Sequence, residues 1–164
     1  MGTPLQALSK LQRLIMQTAH HDDTDYLHWL QTQVSHLRTG RLEYLDREHL
    51  IEELEGMSRS ERRQLRNRLI VLMMHLLKLE HQPEKRSRSW SVTIITQRND
   101  IKLLLRDSPS LKSTLPAALM ETYPRARQEA ADETGLPLTT FPETLPFSLE
   151  QVLDEDYWPE PGSH

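Results

Sequence analysis

Apolar residues recur along this chain at intervals of three and four, and alternation with a period of two is almost absent, so the pattern predicts helices throughout. Leu5, Leu8, Leu11 and Ile15 make a short stripe that predicts an amphipathic N-terminal helix. HHDDTD at 20–25 interrupts it, and Asp23 or Thr24 is placed to cap a second helix with an inward face of Leu27, Leu30, Val34 and Leu37, closed by Gly40. A third helix, from about 43 to 55, turns Leu42, Leu45, Leu50, Leu54 and Met57 inward. Gly56 then reads as a helix stop, and Ser58-Arg59-Ser60-Glu61 as a capping box that opens the longest helix, about 59 to 81. In that helix Leu65, Leu69, Leu72, Leu76 and Leu79 form a seam. Ile70, Val71, Met73, Met74 and Leu77 fill the other faces, so its expected place is the centre of a bundle or an interface between subunits.

Beyond Pro83, a serine at 87 or 89 starts a helix carrying Trp90, Ile94, Ile101, Leu104 and Leu105, on which Gln97, Arg98, Asp100 and Lys102 are expected to make a solvated face. Ser108-Pro109 restarts the chain, and Leu111, Leu115, Leu119, Tyr123, Ala126 and Ala130 lead to Gly135, with Pro116 and Pro124 expected to bend or divide that helix. The remainder is proline-rich, with a turn or two of helix at 149–153 and Phe141, Phe147, Tyr157 and Trp158 as apolar anchors. The expected architecture is an all-α, single-domain bundle of five or six helices around a long central apolar helix. It divides into an N-terminal amphipathic extension (1–22), a helical bundle (23–135) and an acidic, Pro-rich tail packed on the bundle (136–164).

Composition narrows the class. The 164 residues suit one compact domain, and without cysteine neither disulfides nor thiolate metal sites can form. The longest nearly unbroken apolar run, 69–79, is too short to span a bilayer, so no membrane partner is expected. The first residues lack the continuous apolar core of a secretory signal, and Gln6 stands where a myristoylation motif needs Ser or Thr, so the expected location is the cytoplasm. Net charge is −4, but from Gln128 onward there are nine acids and no Lys or Arg. The acidic tail either masks a polyanion-binding surface or packs over the body to complete the fold.

The densest chemistry lies in HLIEELEGMSRSERRQLRNRL, residues 49–69. A hairpin about Gly56 would set Glu52 near Arg63, Glu53 near Arg62 and His49 near Arg66 as interhelix ion pairs. Arg59, Arg62, Arg63 and Arg66 would then crowd the first turns of a helix, where the dipole disfavours cations, and would call for acidic neighbours or an external anion. Glu48, Glu52 and Glu55 share one face, but the Glu-x-x-His spacing of bundle metal sites is missing, and neither metal nor cofactor is expected. His75, set among Leu, Ile, Val and Met, is either a buried hydrogen-bonding residue or, with Glu52 and Glu53, part of an inter-helix polar cluster. Arg86, Arg88 and Trp90 stand at the start of a helix, where they either hold an anion and stack on a base or form a solvated loop with a tryptophan plug. HHDD has the look of a metal cluster but reads as a polar hinge. No catalytic residue can be assigned: there is no phosphate-binding glycine loop, nucleophile elbow or metalloprotease helix motif.

The order D-x-D-Y-x-x-W, L-I-E-E-L-E, R-S-E-R-R, H-L-L-K-L-E-H-Q-P, R-S-R-S-W, D-S-P-S-L, Q-E-A-A-D-E-T-G-L-P and L-E-Q-V-L-D-E-D-Y-W-P resembles the bacterial family called Domain of Unknown Function 29, over about Asp23 to Pro159. The resemblance implies a small helical bacterial protein and carries no assigned activity. The residues support two functional expectations. One is a non-enzymatic module, able to form homo-oligomers, that binds a protein or nucleic acid through arginine-rich helix ends. The other is a small enzyme or anion binder built on Glu52, Glu53, His75 and the arginines.

Overall fold

A computed structural model describes residues 25–162. Every regular element among them is helical: α1 (Tyr26–Arg38), α2 (Arg47–His81), α3 (Arg88–Asp107), α4 (Leu115–Thr134) and α5 (Leu149–Leu153). Tight 3-10 turns at Leu42–Tyr44, Pro83–Lys85, Pro109–Thr114 and Leu138–Thr140 lie between them. The all-α class expected from the sequence is the observed one. The chain divides into two compact units, Met1–Gly56 and Met57–His164. The expected N-terminal helix, the HHDD stretch and the candidate caps Asp23 and Thr24 lie outside the described residues.

In the first unit Asp25 caps α1, its carboxylate accepting from His28 N–H at 2.8 Å. Gly40, at φ +70°, lets the chain turn after α1 in a conformation that costs a side chain dearly. Asp46 then holds the unit together. Its backbone N–H donates to Gln33 Oε1 at 2.9 Å, and its carboxylate accepts from the Trp29 indole at 3.3 Å and pairs with the His49 ring at 2.7 Å. Trp29 and Gln33 are accordingly the buried residues of α1. This corrects the expected inward face: Leu27, Val34 and Leu37 are exposed and Leu30 is half-buried, because the polar hooks on Asp46 set the helix's rotation. Leu42, Leu54 and Met57, also expected inward, are exposed as well.

The Gly56 stop does not form. Helix α2 runs unbroken from Arg47 to His81, and Gly56 has no positive φ. A glycine inside a helix costs only about 1 kcal/mol relative to alanine, and the Glu, Leu, Met and Arg around it are good helix formers, so continuity wins over the local stop-and-cap pattern. The third and fourth expected helices are therefore one, beginning at Arg47 rather than near 43. The expected hairpin pairs of Glu52 with Arg63, Glu53 with Arg62 and His49 with Arg66 have no hairpin to form on.

The second unit is built around the later turns of α2, where every residue from Leu72 to Glu80 is buried. Ile94, Ile101 and Leu105 of α3 and Leu115, Leu119, Tyr123, Ala126 and Ala130 of α4 join the same core. Ser87 caps α3, accepting from Trp90 N–H, and Gly135, at φ +71°, ends α4 in the left-handed conformation. Pro116 sits in the first turn of α4, where its missing N–H costs nothing, and Pro124 is accommodated inside that helix. Phe141, Phe147 and Val152, from the proline-rich segment, belong to the core too.

Candidate functional site

The arginines singled out by the sequence fare unequally. Arg59, Arg62, Arg63 and Arg66 lie within α2, well beyond its first turns, so the helix-end placement is corrected and the dipole no longer demands an anion for them. Arg66 pairs with Glu121 of α4, and Arg68 donates to Asp100 Oδ2 at 2.5 Å on α3. The Arg66 pair is exposed and the Arg68 pair half-buried, and exposed pairs contribute only about 0–1 kcal/mol. Arg62 and Arg63 are exposed. Glu61, the expected capping-box acid, instead accepts from the Ser108 hydroxyl at 2.6 Å.

Glu53, of the expected polar cluster, is taken up within the first unit, where it accepts from the Tyr26 hydroxyl at 2.8 Å. Glu52 is exposed. His75 belongs to the second unit and is buried, with Nδ1 bonded to the Val71 carbonyl oxygen at 2.8 Å. The helix hairpin on which the cluster rested is absent, and His75 takes the structural option of a buried histidine bonded to its own backbone.

That burial has a testable consequence. Desolvation holds the His75 imidazole below its ordinary value of 6.5, with the Val71 carbonyl opposing and the Lys78 charge adding to the shift. The unfolded chain therefore takes up this proton first. The stabilisation is complete above about pH 6.5 and is lost as pH falls through the lowered folded-state value. The thermal midpoint should fall on acidification from neutrality, and the slope should flatten in His75→Gln. Parallel curves for the two proteins would assign the pH dependence to other groups.

Arg98, expected on a solvated face, is the most completely buried charged residue of the second unit, at 0% exposure. Its Nε donates to Val152 O at 2.9 Å and its Nη2 to Gln151 O at 3.1 Å, carbonyls of α5. The guanidinium faces the Trp158 ring at 5.7 Å, and Arg86 lies over the same ring at 5.4 Å. Burial lowers the Arg98 pKa, and the charges of Asp154 and Glu155 oppose that shift. Neighbouring donors treat the segment after Gly135 alike: Arg127 donates to Phe141 O and Leu138 O, the Tyr123 hydroxyl donates to Pro142 O at 2.6 Å, and Lys102 pairs with Glu155. Burial pushes the Tyr123 phenol up to about 12, so it remains a donor at all physiological pH. Trp90, half-buried, has the Lys78 ammonium 4.3 Å from its ring centroid, and Lys78 also pairs with Glu133. Arg88 opens α3 and is exposed.

Asp46 escaped the sequence reading, although an aspartate two residues ahead of a glutamate at a helix start is a visible capping signal. Partial burial would raise its carboxyl, but the bonds from the His49 ring, the His49 N–H and the Trp29 indole outweigh it and hold the group below its usual value. What this small unit leaves uncovered is apolar. Leu27 and Leu54 are 63% and 65% exposed, and Tyr26, Val34, Leu37, Leu42, Tyr44 and Ile51 are exposed too, against one buried hydrophobic residue, Trp29, among its described residues. The second unit has the opposite balance, with more than twenty buried hydrophobic residues. Among the described residues no three acids or histidines converge as metal ligands, and no helix is long and apolar enough to cross a membrane.

Fold and surface thus define a helical protein with a well-filled second unit and an apolar, partly uncovered first unit. The family of the domain of unknown function DUF29 matches residues 22–158, most of the chain, and the chain belongs to that family. No curated protein and no solved structure matches it.

Proposed function

We propose that this chain is a non-enzymatic protein-interaction module of the bacterial cytoplasm, and that its first unit presents the docking surface. The exposed Leu27, Val34 and Leu37 of α1 and Ile51 and Leu54 of α2 carry the reading. Apolar side chains gathered at this density on so small a unit are the usual mark of an interface. Residues 25–56 also hold seven acids against three Lys or Arg. The partner that fits is an amphipathic helix with an apolar stripe and basic flanks. In the second unit Arg98 and Lys78 bind residues more than fifty positions away, and His75 bonds to its own helix, which supports a structural role for these buried polar groups.

A second reading keeps the polyanion partner, on the strength of the exposed arginines Arg62, Arg63 and Arg88. One titration separates the two. With the partner identified by copurification and then purified, Leu37→Glu/Leu54→Glu should weaken its binding at least tenfold, and Arg62→Glu/Arg63→Glu should leave it within twofold. The reverse order, with affinity falling steeply as salt rises, would move the function to the arginines.

A further inference from the structure

Arg98 uses only part of its hydrogen-bonding capacity on α5. Its Nε and Nη2 donate to the carbonyls of Val152 and Gln151, but Nη1 is buried and meets no acceptor among the described residues. A buried donor left without an acceptor loses its hydration uncompensated, and native structures rarely keep one. The charge is equally unanswered. Among the described residues Arg98 forms no ion pair, although its side chain is 0% exposed. Asp154 and Glu155, the acids whose charges act on it, bond elsewhere: Asp154 Oδ1 accepts from Asp156 N–H at 3.0 Å, and Glu155 pairs with Lys102.

Arg86 brings a second cation to the same place. Its guanidinium lies 5.4 Å from the centroid of the Trp158 ring that Arg98 faces at 5.7 Å, so the two side chains converge on one indole. Arg86 is exposed, and it too forms no ion pair among the described residues. A ring quadrupole attracts both guanidinium ions but neutralises neither. In the chain Arg86 is flanked by Lys85 and Arg88, both exposed, against one acid, Glu84. An oxyanion answers both needs, with one oxygen for Arg98 Nη1 and others for the Arg86 fork. A carboxylate brings a single charge and oxygens in one plane. A phosphate group brings up to about two charges and three acceptor oxygens spread tetrahedrally, which suits one guanidinium from the interior and one at the surface. We infer that Arg98 Nη1 and the Arg86 guanidinium together bind a phosphate group beside the Trp158 indole, supplied by a free phosphate ion or a phosphate monoester. This site is independent of the docking surface on the first unit.

The indole packed against Arg98 must shift as the ligand enters, which makes its N–H a reporter. Inorganic phosphate is titrated into the full chain at fixed ionic strength, followed by nitrogen–proton correlation NMR. The Arg98 Nε–H and Trp158 indole signals, the latter assigned by its loss in Trp158→Phe, should shift saturably. Arg86 is exposed, so Arg86→Gln tests the site without the loss of stability that an Arg98 substitution brings, and it should weaken the response about tenfold. Arg62→Gln/Arg63→Gln should leave the response within about twofold, and acetate should bind about tenfold more weakly than phosphate. Phosphoserine binding more tightly than inorganic phosphate would identify the ligand as a monoester, and the reverse order a free ion; either supports the site. Shifts that grow linearly without saturation would leave Nη1 to water and overturn the inference. So would acetate binding as tightly as phosphate. A response that survives Arg86→Gln but is lost in Arg62→Gln/Arg63→Gln would move the anion to the exposed arginines of α2 and overturn it too.

Discussion

Arg98→Met should lower the stability of the second unit by about 3 kcal/mol, because it strands one buried and one partly buried carbonyl, each costing about 1–3 kcal/mol when left without a donor. The methionine replaces much of the side-chain volume, so the loss measures the hydrogen bonds and the charge more than a cavity. The carbonyls concerned belong to Gln151 and Val152, at the end of α5, where a cation also meets the negative end of the helix. For a chain of this size the thermal midpoint should drop by about 10 °C. Limited proteolysis should then cut first between Gly135 and Trp158. A loss below about 1 kcal/mol would mean that other donors serve these carbonyls.

Phe141→Ala should cost about 3–5 kcal/mol, the range for deleting a buried aromatic ring. Phe141 is 1% exposed and meets the His81 ring edge-on, with centroids 5.0 Å apart. Its own carbonyl accepts from Arg127 Nε at 3.0 Å, so the backbone is anchored even when the ring is gone. The cavity can close only by moving that anchor, which puts the expected loss toward the upper end. Chemical denaturation of wild type and variant at one pH measures it. A loss under about 1 kcal/mol would show that the segment after Gly135 contributes little to the core.

Much of the second unit was legible in advance because burial and periodicity agree there. The seam from Leu65 to Leu79 and the series from Leu111 to Ala130 are buried as the spacing predicts, and Ser87 and Gly135 punctuate the helices as their chemistry suggests. Reading failed where a local signal competed with a longer one. Gly56 and the Ser58–Glu61 pattern resemble a stop and a start, yet thirty-five residues of good helix formers carry α2 straight through. The face of α1 was misjudged for a different reason: its leucines have no apolar layer to enter, and Asp46, remote in sequence, fixes Trp29 and Gln33 inward. Arg98 was unreadable because only a partner more than fifty residues away explains why an arginine should be buried. The candidate site suffered most. Arg59, Arg62, Arg63 and Arg66 stood out because a helix was expected to begin beside them, and the exposed apolar residues of the first unit include leucines that the periodicity had assigned to a core.

The contacts that close the second unit join residues far apart in the chain. Arg66 with Glu121 and Lys78 with Glu133 are each 55 residues apart, and Arg98 reaches Val152 across 54. Helical proteins usually fold fast because their contacts are local, and loop closure over such separations must precede these bonds. The helices of this unit can form early, and the return of residues 136–158 onto α2, α3 and α4 should be among its last steps. Interactions made late brake unfolding more than they speed folding, so substituting the arginine and tyrosine donors that hold the returning segment should shorten the lifetime of the folded molecule more than it slows folding.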